Sequence, residues 1–291
     1  MRSLLLVIAL TLLLALLADA HPRAGLEARV TSMALPGRSR EPAVLATMYH
    51  RFVPPEEYGG LSGDERIYSI GTDQFEAQLA ELRHCGIRSL SLAEVLDHAT
   101  GRAPVTGPSV FMTIDDGNRS VLTLAQPLLI KYGMRATLFI TTDASACVFD
   151  PHRPDQARLS REEIQRLDPM VFDVGAHGAT HRPLRELSDS ELSAELTTSR
   201  GKLERWLGRP VLSMAVPGNW YDDRVLRFAR TAGYEAVFTS DRGLIMEGSD
   251  LYRLSRFTIQ GYKKLEGFRR LIARAMDVSL SGNDQLSSTS Q

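Results

Sequence analysis

The chain has 291 residues, with 34 Lys and Arg residues against 35 Asp and Glu residues, so its formal net charge is −1. Hydrophobic residues make up 43% of the sequence and charged residues 24%, which is typical of a folded domain and excludes a largely disordered chain. This balance lacks the basic excess of nucleic-acid-binding proteins, so no nucleic-acid partner is expected. Only two cysteines occur, which excludes a disulfide-rich scaffold and a cysteine-rich zinc module.

Residues 1–20 have the pattern of a secretory signal peptide. Arg2 precedes an apolar run from Leu4 to Ala18, and Ala18–Ala20 fits the small-residue site at which signals are cleaved. The run is about fifteen residues long, short of the roughly 18–20 that a spanning helix needs, and a retained anchor is the alternative. We therefore expect export to the periplasm or the cell exterior. There Cys85 and Cys147 could pair, although two separate buried thiols are the favoured expectation.

Four segments are predicted along the chain. Residues 21–42 lack hydrophobic periodicity and form a flexible lead-in, residues 43–278 form one domain, and the polar residues 279–291 form a disordered tail. The predicted strands are Ala43–Tyr49, Pro108–Ile114, Ala136–Thr141, Val171–Ala176, Val211–Val216, Ala236–Ser240 and Leu254–Ile259. The predicted helices are Asp73–Arg83, Val121–Tyr132, a short helix after Ser160, one from Ser188 to about Leu207, Asp222–Ala232 and Lys263–Met276. Val53–Gly71, with paired prolines and paired glycines, is predicted to be a loop.

The fold class follows from the alternation of these segments. Two helix starts are marked by capping boxes, Ser160 with Glu163 and Ser188 with Glu191. Short strands alternating with helices predict an α/β fold with a parallel sheet. The number of repeats favours a deformed or incomplete (β/α) barrel, in a single catalytic domain, over a small open sheet.

Two adjacent carboxylates, Asp115 and Asp116, follow one predicted strand in the sequence Thr113–Gly117. Like charges this close are unfavourable unless a positive group lies beside them. Active sites of parallel α/β folds assemble at the ends of strands, which makes this pair a candidate for chemistry. A helix cap or an Asx turn is the structural alternative, since Asp-Gly often marks turns.

Two histidines, His177 and His181, follow another predicted strand and are separated by small residues and a threonine. A spacing of four allows both imidazoles to face one metal ion. Two histidines and one aspartate give three protein ligands and an open position for water. With Asp116 as the third ligand, Asp115 remains free to act as a general base.

These two motifs resemble those of the polysaccharide deacetylases, the NodB-homology, family-4 carbohydrate esterases. Thr113–Gly117 is similar to their T-F-D-D-G motif and His177–His181 to their H-x-x-x-H metal motif, in the same order. The resemblance extends from about Leu45 to Tyr262 and implies a deformed (β/α) barrel, a divalent metal, usually Zn²⁺, and hydrolysis of acetyl groups on sugars. By position it implies that Asp115 is the base and that Asp116, His177 and His181 hold the metal.

The sequence departs from the family pattern at two places. Ala215 stands where the family usually has an arginine that holds the catalytic base, and no histidine follows His181 to supply the usual general acid. The exported poly-β-1,6-N-acetylglucosamine deacetylases resemble this chain more closely, because they commonly lack that arginine and take the acid from an early Tyr-His. Here Tyr49-His50 follows the first strand, so His50 is the candidate acid; closing the strand by a backbone bond is its structural alternative.

The family's third motif, usually R-x-x-P-Y, corresponds here to residues 214–219 and suggests further site residues. The resemblance assigns oxyanion stabilisation to the backbone N–H of Gly218, and glycine would permit close approach of a substrate. Trp220 and Tyr221 are expected either to stack on a sugar ring or to pack internally. The expected function is metal-dependent removal of acetyl groups from an exported N-acetylated polysaccharide. The alternatives are an esterase or amidase acting on another acetylated or cyclic-amide substrate, and an inactive carbohydrate-binding protein.

The predicted last helix is rich in cations. It carries Lys263, Lys264, Arg269, Arg270 and Arg274 against Glu266. A solvated helix face is the favoured interpretation, and binding to an acidic polymer or a membrane surface is the alternative. Besides the polysaccharide substrate, the chain could contact a membrane surface or exopolysaccharide machinery.

Overall fold

The computed structural model describes residues 42–143, 146 and 157–281, so the predicted signal peptide, nearly all of the lead-in and Cys147 lie outside the described residues. The strands are β1 (Ala43–Tyr49), β2 (Arg51–Val53), β3 (Ser69–Gly71), β4 (Arg88–Ser89), β5 (Ser109–Asp116), β6 (Ala136–Ile140), β7 (Phe172–Ala176), β8 (Ser213–Ala215), β9 (Ala236–Phe238), β10 (Ile245–Met246) and β11 (Phe257–Thr258). The α-helices are α1 (Pro55–Tyr58), α2 (Gly63–Tyr68), α3 (Thr72–His84), α4 (Leu92–Ala99), α5 (Gln126–Tyr132), α6 (Arg161–Gln165), α7 (Asp189–Leu207), α8 (Asp223–Thr231) and α9 (Leu265–Ser281).

The main sheet is almost entirely parallel. Its strand order is β10-β1-β5-β6-β7-β8-β9, with β4 pairing with β5 and β11 pairing with β1. Among the strands that the structure describes, β10 alone is antiparallel to its neighbour, β1, and β2 and β3 form a separate parallel pair. Parallel neighbours place their carboxyl ends at one edge, which is where the predicted site residues lie.

The segment before and within β11 joins the two ends of this sheet. Leu254 N donates to Val237 O (3.0 Å) and Thr239 N donates to Leu254 O (2.8 Å), next to β9. A few residues later β11 pairs with β1, with Thr258 opposite Met48. The sheet therefore curls into a deformed (β/α) barrel, which confirms the predicted fold class.

The barrel interior is apolar between the site and the opposite end of the barrel. Phe111, Phe139 and Phe238 pack there, with ring centroids of Phe111 and Phe139 each 5.2 Å from that of Phe238. Helix α4 covers this end, and its Leu92 N donates to Asp173 Oδ2 (2.9 Å) at the start of β7. Ser91 begins the helix with a capping box to Glu94. The packed aromatic side chains therefore support the site from inside the barrel.

Most predicted elements are present with small shifts of their ends. The capping boxes at Ser160 and Ser188 are confirmed. The predicted helix Val121–Tyr132 begins as a π-helical turn, Val121–Ala125, and becomes α-helical at α5, where Pro127 lacks the N–H that a continuous α-helix would need. Helix α9 ends at Ser281, beyond its predicted end at Met276.

Three expectations were wrong. The segment Val53–Gly71 is not a plain loop, because α1, α2 and β3 lie within it; elements this short show no periodicity in sequence. Helix α4 and strands β2, β4 and β10 were not predicted at all. Cys85 is exposed rather than buried, since it follows α3 at the surface. Among the described helices, none is both long and apolar enough to cross a membrane.

Candidate active site

A cavity of about 590 Å³ opens at the carboxyl end of the barrel strands. It brings together residues that the sequence places far apart. Seven of the eight predicted site residues line it: His50, Asp115, Asp116, His177, His181, Gly218 and Trp220. Tyr221 does not line it, because its hydroxyl instead donates to Asp241 Oδ2.

Asp115 is held in the barrel by a buried arginine. Arg256 donates from Nη1 to Asp115 Oδ1 (2.7 Å) and from Nη2 to Asp115 Oδ2 (2.9 Å). Asp115 is 1% exposed and Arg256 is fully buried. Burial alone would raise the pKa of Asp115, but the Arg256 guanidinium and His177 beside it hold that pKa below its usual value. Asp115 is therefore a fixed, ionised carboxylate within the site.

The guanidinium of Arg256 is itself fixed by three neighbours. Nε donates to Thr239 O (3.1 Å), Nη1 also donates to Thr113 Oγ1 (2.9 Å), and the guanidinium carbon lies 5.3 Å from the centre of the Phe139 ring. Planar guanidinium groups match carboxylates in this two-bond geometry. Arg256 thus holds the carboxylate, the role that the resemblance gives to a family arginine whose position is taken by Ala215 in this chain.

Arg256 was not singled out from the sequence, although a signal was present. It lies in the predicted strand Leu254–Ile259 and is the one charged residue of that strand. Strand alternation places it on the same face as Leu254 and Thr258. A charged side chain on an inward face requires a partner of opposite charge, which here comes from β5.

Asp116, His177 and His181 form a group suited to a metal ion. One ligand atom from each lies within 4.8 Å of the others. His177 Nε2 and His181 Nε2 are each 3.5 Å from Asp116 Oδ1. That oxygen is buried and has no hydrogen-bond partner among the described residues. An orphaned carboxylate oxygen facing two imidazoles fits a cation in the space between them.

The protonation of His177 strengthens this assignment. Its Nδ1 lies 2.9 Å from Ala215 O, and a carbonyl can only accept, so the proton is on Nδ1. Burial lowers the pKa of His177 to about 4 and also lowers the pKa of His181. Both rings are therefore neutral near pH 7, and Nε2 of His177 presents a lone pair to Asp116. Lone pairs that face one another without a proton between them are stabilised by a bound cation.

Backbone strain is concentrated at this site. In the described part of the chain, Asp116 (φ 74°), His181 (φ 62°) and Asn219 (φ 59°) are the residues other than glycine with positive φ. All three line the cavity. Such conformations persist only where the surrounding structure enforces them, and they cluster at functional sites. The strain therefore supports this cavity as the candidate functional site, independently of any sequence motif.

His50 follows β1 and reaches the cavity from a different side. Its ring centroid is 4.7 Å from that of Tyr68, in an edge-to-face arrangement. Tyr68 ends α2, and this helix is tied to β2 by the pair of Arg51 Nη1 with Glu65 Oε1 (2.5 Å). His50 Nδ1 is buried and makes no hydrogen bond to the residues that the structure describes. That atom does not form the backbone bond expected of a purely structural role.

Gly218 and Trp220 border the cavity in the segment that follows β8. Gly218 has φ 57°, and a Cβ there would lie 2.7 Å from Trp220 Cε3, so glycine is required. Trp220 is 40% exposed and is available to a ligand. Asn219, between them, accepts from Ser240 N (2.7 Å) and donates to Asp241 Oδ1 (3.0 Å), which fixes the turn.

Comparisons with known proteins agree with this geometry. The family described as Polysaccharide deacetylase matches residues 102–237, a range that contains the two motifs but neither His50 nor Arg256. The YxkH protein of Bacillus subtilis is 23% identical over 186 residues, which cover 64% of this chain and 64% of that protein. The poly-β-1,6-N-acetyl-D-glucosamine N-deacetylase of Staphylococcus aureus is 25% identical over 251 residues, covering 81% of this chain and 83% of the relative.

A solved structure supports the fold. The Streptococcus pyogenes deacetylase PplD superposes with a TM-score of 0.69 at 22% identity, covering 80% of this chain and 99% of that one. At this identity the likeness bears on the fold alone. Taken with the matched range and the two motifs at the rim of the barrel, it leads to one conclusion. Residues 102–237 match the polysaccharide deacetylase family, and the barrel around them has the fold of a solved deacetylase.

Proposed function

We propose that this protein is a metal-dependent hydrolase that removes acetyl groups from N-acetylated sugar residues of an exported polysaccharide similar to poly-β-1,6-N-acetylglucosamine. The observation that carries the proposal is the juxtaposition in one cavity of an arginine-held carboxylate, three metal-ligating groups and a histidine from a separate strand. Amide hydrolysis needs a base, an electrophile and an acid, and these groups can supply all three.

Asp116, His177 and His181 would hold the metal. Their mixture of two imidazoles and one carboxylate suits Zn²⁺ better than Mg²⁺, which prefers oxygen ligands. A bound divalent cation would act as a Lewis acid toward the acetyl carbonyl and toward water.

Asp115 and His50 would move the protons. Asp115 lies beside the ligand group, with Oδ2 3.9 Å from His177 Nε2, and would take a proton from the attacking water. Its bidentate pair with Arg256 fixes the carboxylate and keeps it ionised. His50 would donate a proton to the departing amine, since an amine is a poor leaving group until protonated. The backbone N–H of Gly218 would stabilise the oxyanion.

The proposed substrate class is supported by similarity to a relative and by one exposed aromatic side chain. The relative from Staphylococcus aureus carries the name of a poly-β-1,6-N-acetyl-D-glucosamine N-deacetylase and is similar to this chain over 81% of its length. Trp220, exposed at the rim, offers a flat apolar face to a sugar ring. The pattern of residues 1–20 supports export, which would place the enzyme with its polymer.

Acetate release from β-1,6-linked N-acetylglucosamine oligomers by zinc-loaded protein tests the proposal. We expect release by the parent and none by His181→Ala. Release from acetyl esters of sugars but not from the N-acetylated oligomers would reject the amide substrate and support an esterase. Binding of the oligomers with no release from any acetylated sugar would indicate a carbohydrate-binding protein.

A further inference from the structure

A second cavity, of about 460 Å³, lies beside the catalytic one. It lies between the first turns of α9 and the residues that follow β9 and β11. Ser240, Thr258 and Gln260 line both cavities, so the second cavity, called here the side pocket, adjoins the catalytic pocket at the barrel rim. A polymer with one sugar in the catalytic pocket would place neighbouring units near it.

Among the residues that the structure describes, the lining of the side pocket carries an excess of positive charge. Arg242, Lys263, Arg270 and Arg274 line it, and its lining contains no carboxylate. Arg270 has one ion pair, a 3.7 Å contact of Nη1 with Glu266 Oε1, and both side chains are well exposed. The other three make no ion pair with any residue the structure describes. Like charges gathered around one pocket are relieved by an anionic ligand.

The catalytic pocket has the opposite character. Asp64, Asp115 and Asp116 line it, so the two adjoining pockets differ in charge.

The floor of the side pocket is apolar, with Phe257, Phe268 and Leu271 among its lining residues. Cations around an apolar floor suit a sugar ring that carries an acidic group, because the ring covers the floor while guanidinium forks bind carboxylate or phosphate. The volume falls within the range of ligand pockets.

We propose that the side pocket binds an anionic group on the polysaccharide, a carboxylate or a phosphate, one or two units away from the sugar in the catalytic pocket. This inference rests on the proposed function and adds to it: the polymer would share the N-acetylated units of poly-β-1,6-N-acetylglucosamine and carry acidic substituents in addition. The cationic face of α9 is then part of the substrate-binding surface and not merely a solvated helix face.

Binding is measured by calorimetric titration of the full chain, independently of acetate release. The probes are a tetrasaccharide of alternating glucuronic acid and N-acetylglucosamine, a 3-phosphorylated β-1,6-linked N-acetylglucosamine tetramer and the neutral β-1,6-linked tetramer. We expect the parent to bind at least one acidic probe about tenfold or more tightly than the neutral probe at low salt, and less selectively at high salt. Which acidic probe binds better identifies the source of the anion.

The variant Arg242→Gln/Arg270→Gln should lose this preference. The matched control, Arg205→Gln/Arg227→Gln, removes the same charge from exposed positions outside both pockets and should keep it. Unfolding curves verify that both variants are folded. Equal affinity for acidic and neutral probes, equal losses in both variants, or binding of the parent to phosphatidylglycerol vesicles without a preference for acidic sugars would overturn the proposal. Acetate release without an acidic preference would overturn this inference alone and leave the deacetylase proposal standing.

Discussion

Arg256 and Asp115 are 141 positions apart in sequence and form a bidentate pair inside the barrel, with donor–acceptor distances of 2.7 and 2.9 Å. The arginine directly precedes β11, in the segment that joins the two ends of the sheet, whereas the carboxylate comes from β5. Closing the barrel and fixing the proposed base are therefore achieved by the same segment, Phe257–Thr258 and the residues just before it.

Because this pair is buried, its members should be energetically coupled. Arg256→Leu leaves a buried carboxylate without its partner and should lower the free energy of unfolding by about 3–5 kcal/mol. Asp115→Asn should also destabilise, and the double variant should lose less than the two single losses added together, by about 0.5–3 kcal/mol. Urea unfolding in the presence of a chelator measures all four proteins. Additive losses would show that the two side chains act independently.

A metal held by the proposed ligands should stabilise the folded chain. Zn²⁺ at about 100 times its Kd should add about 2.7 kcal/mol and raise Tm, whereas Mg²⁺ at the same concentration should not. His181→Ala should abolish most of the shift, and His84→Ala, at an exposed position outside the site, should keep it. Thermal unfolding with and without metal is the measurement. Equal shifts in both variants would place the metal elsewhere.

The loss of activity on replacing His50 should depend on the leaving group of the substrate. His50→Ala should reduce N-acetyl hydrolysis by about 10²–10⁴-fold, because an amine must be protonated as it departs. Hydrolysis of an acetyl ester with a good leaving group should fall much less. The Zn²⁺-induced shift in Tm should be retained, which separates loss of the acid from loss of the metal. Equal losses on the amide and the ester would reject His50 as the general acid.

Trp220 should contribute to binding rather than to the chemical step. Trp220→Ala should raise KM about 3- to 10-fold with little change in kcat, which corresponds to about 0.7–1.4 kcal/mol of binding. Trp220→Phe keeps an aromatic face and should recover most of the loss. Steady-state kinetics on the β-1,6 oligomers distinguish this from a fall in kcat, which would indicate a role in shaping the site.

Two glycines should respond in opposite directions to substitution by alanine. A Cβ at Gly175 would lie 2.5 Å from Phe139 Cε1 and 2.9 Å from Ser213 Oγ, so Gly175→Ala should destabilise by about 1–3 kcal/mol. Gly201 lies inside α7, where a Cβ meets only the end of the Arg205 side chain at 3.3 Å. Gly201→Ala should therefore stabilise by about 0.5–1 kcal/mol. Urea unfolding tests both, and stabilisation by Gly175→Ala would contradict the packing of the barrel interior.

The sequence by itself determined the elements whose signals are local. The apolar run Ala43–Tyr49 and the capping boxes at Ser160 and Ser188 appear where they were predicted, because hydrophobic period and capping chemistry act within a few residues. The same local signals placed Asp115, Asp116, His177 and His181 at the ends of strands. Since parallel strands end at one edge, their meeting in one cavity could be expected from the sequence.

Only the tertiary structure decided which distant side chains complete the site. It pairs Arg256 with Asp115, directs Tyr221 to Asp241 and away from the cavity, and covers the opposite end of the barrel with α4. None of these follows from a local pattern, because each depends on how the sheet curls and on which segment joins its two ends. The sequence gives the chemical type of each side chain. Which side chain it meets across the barrel depends on contacts between strands far apart in the chain.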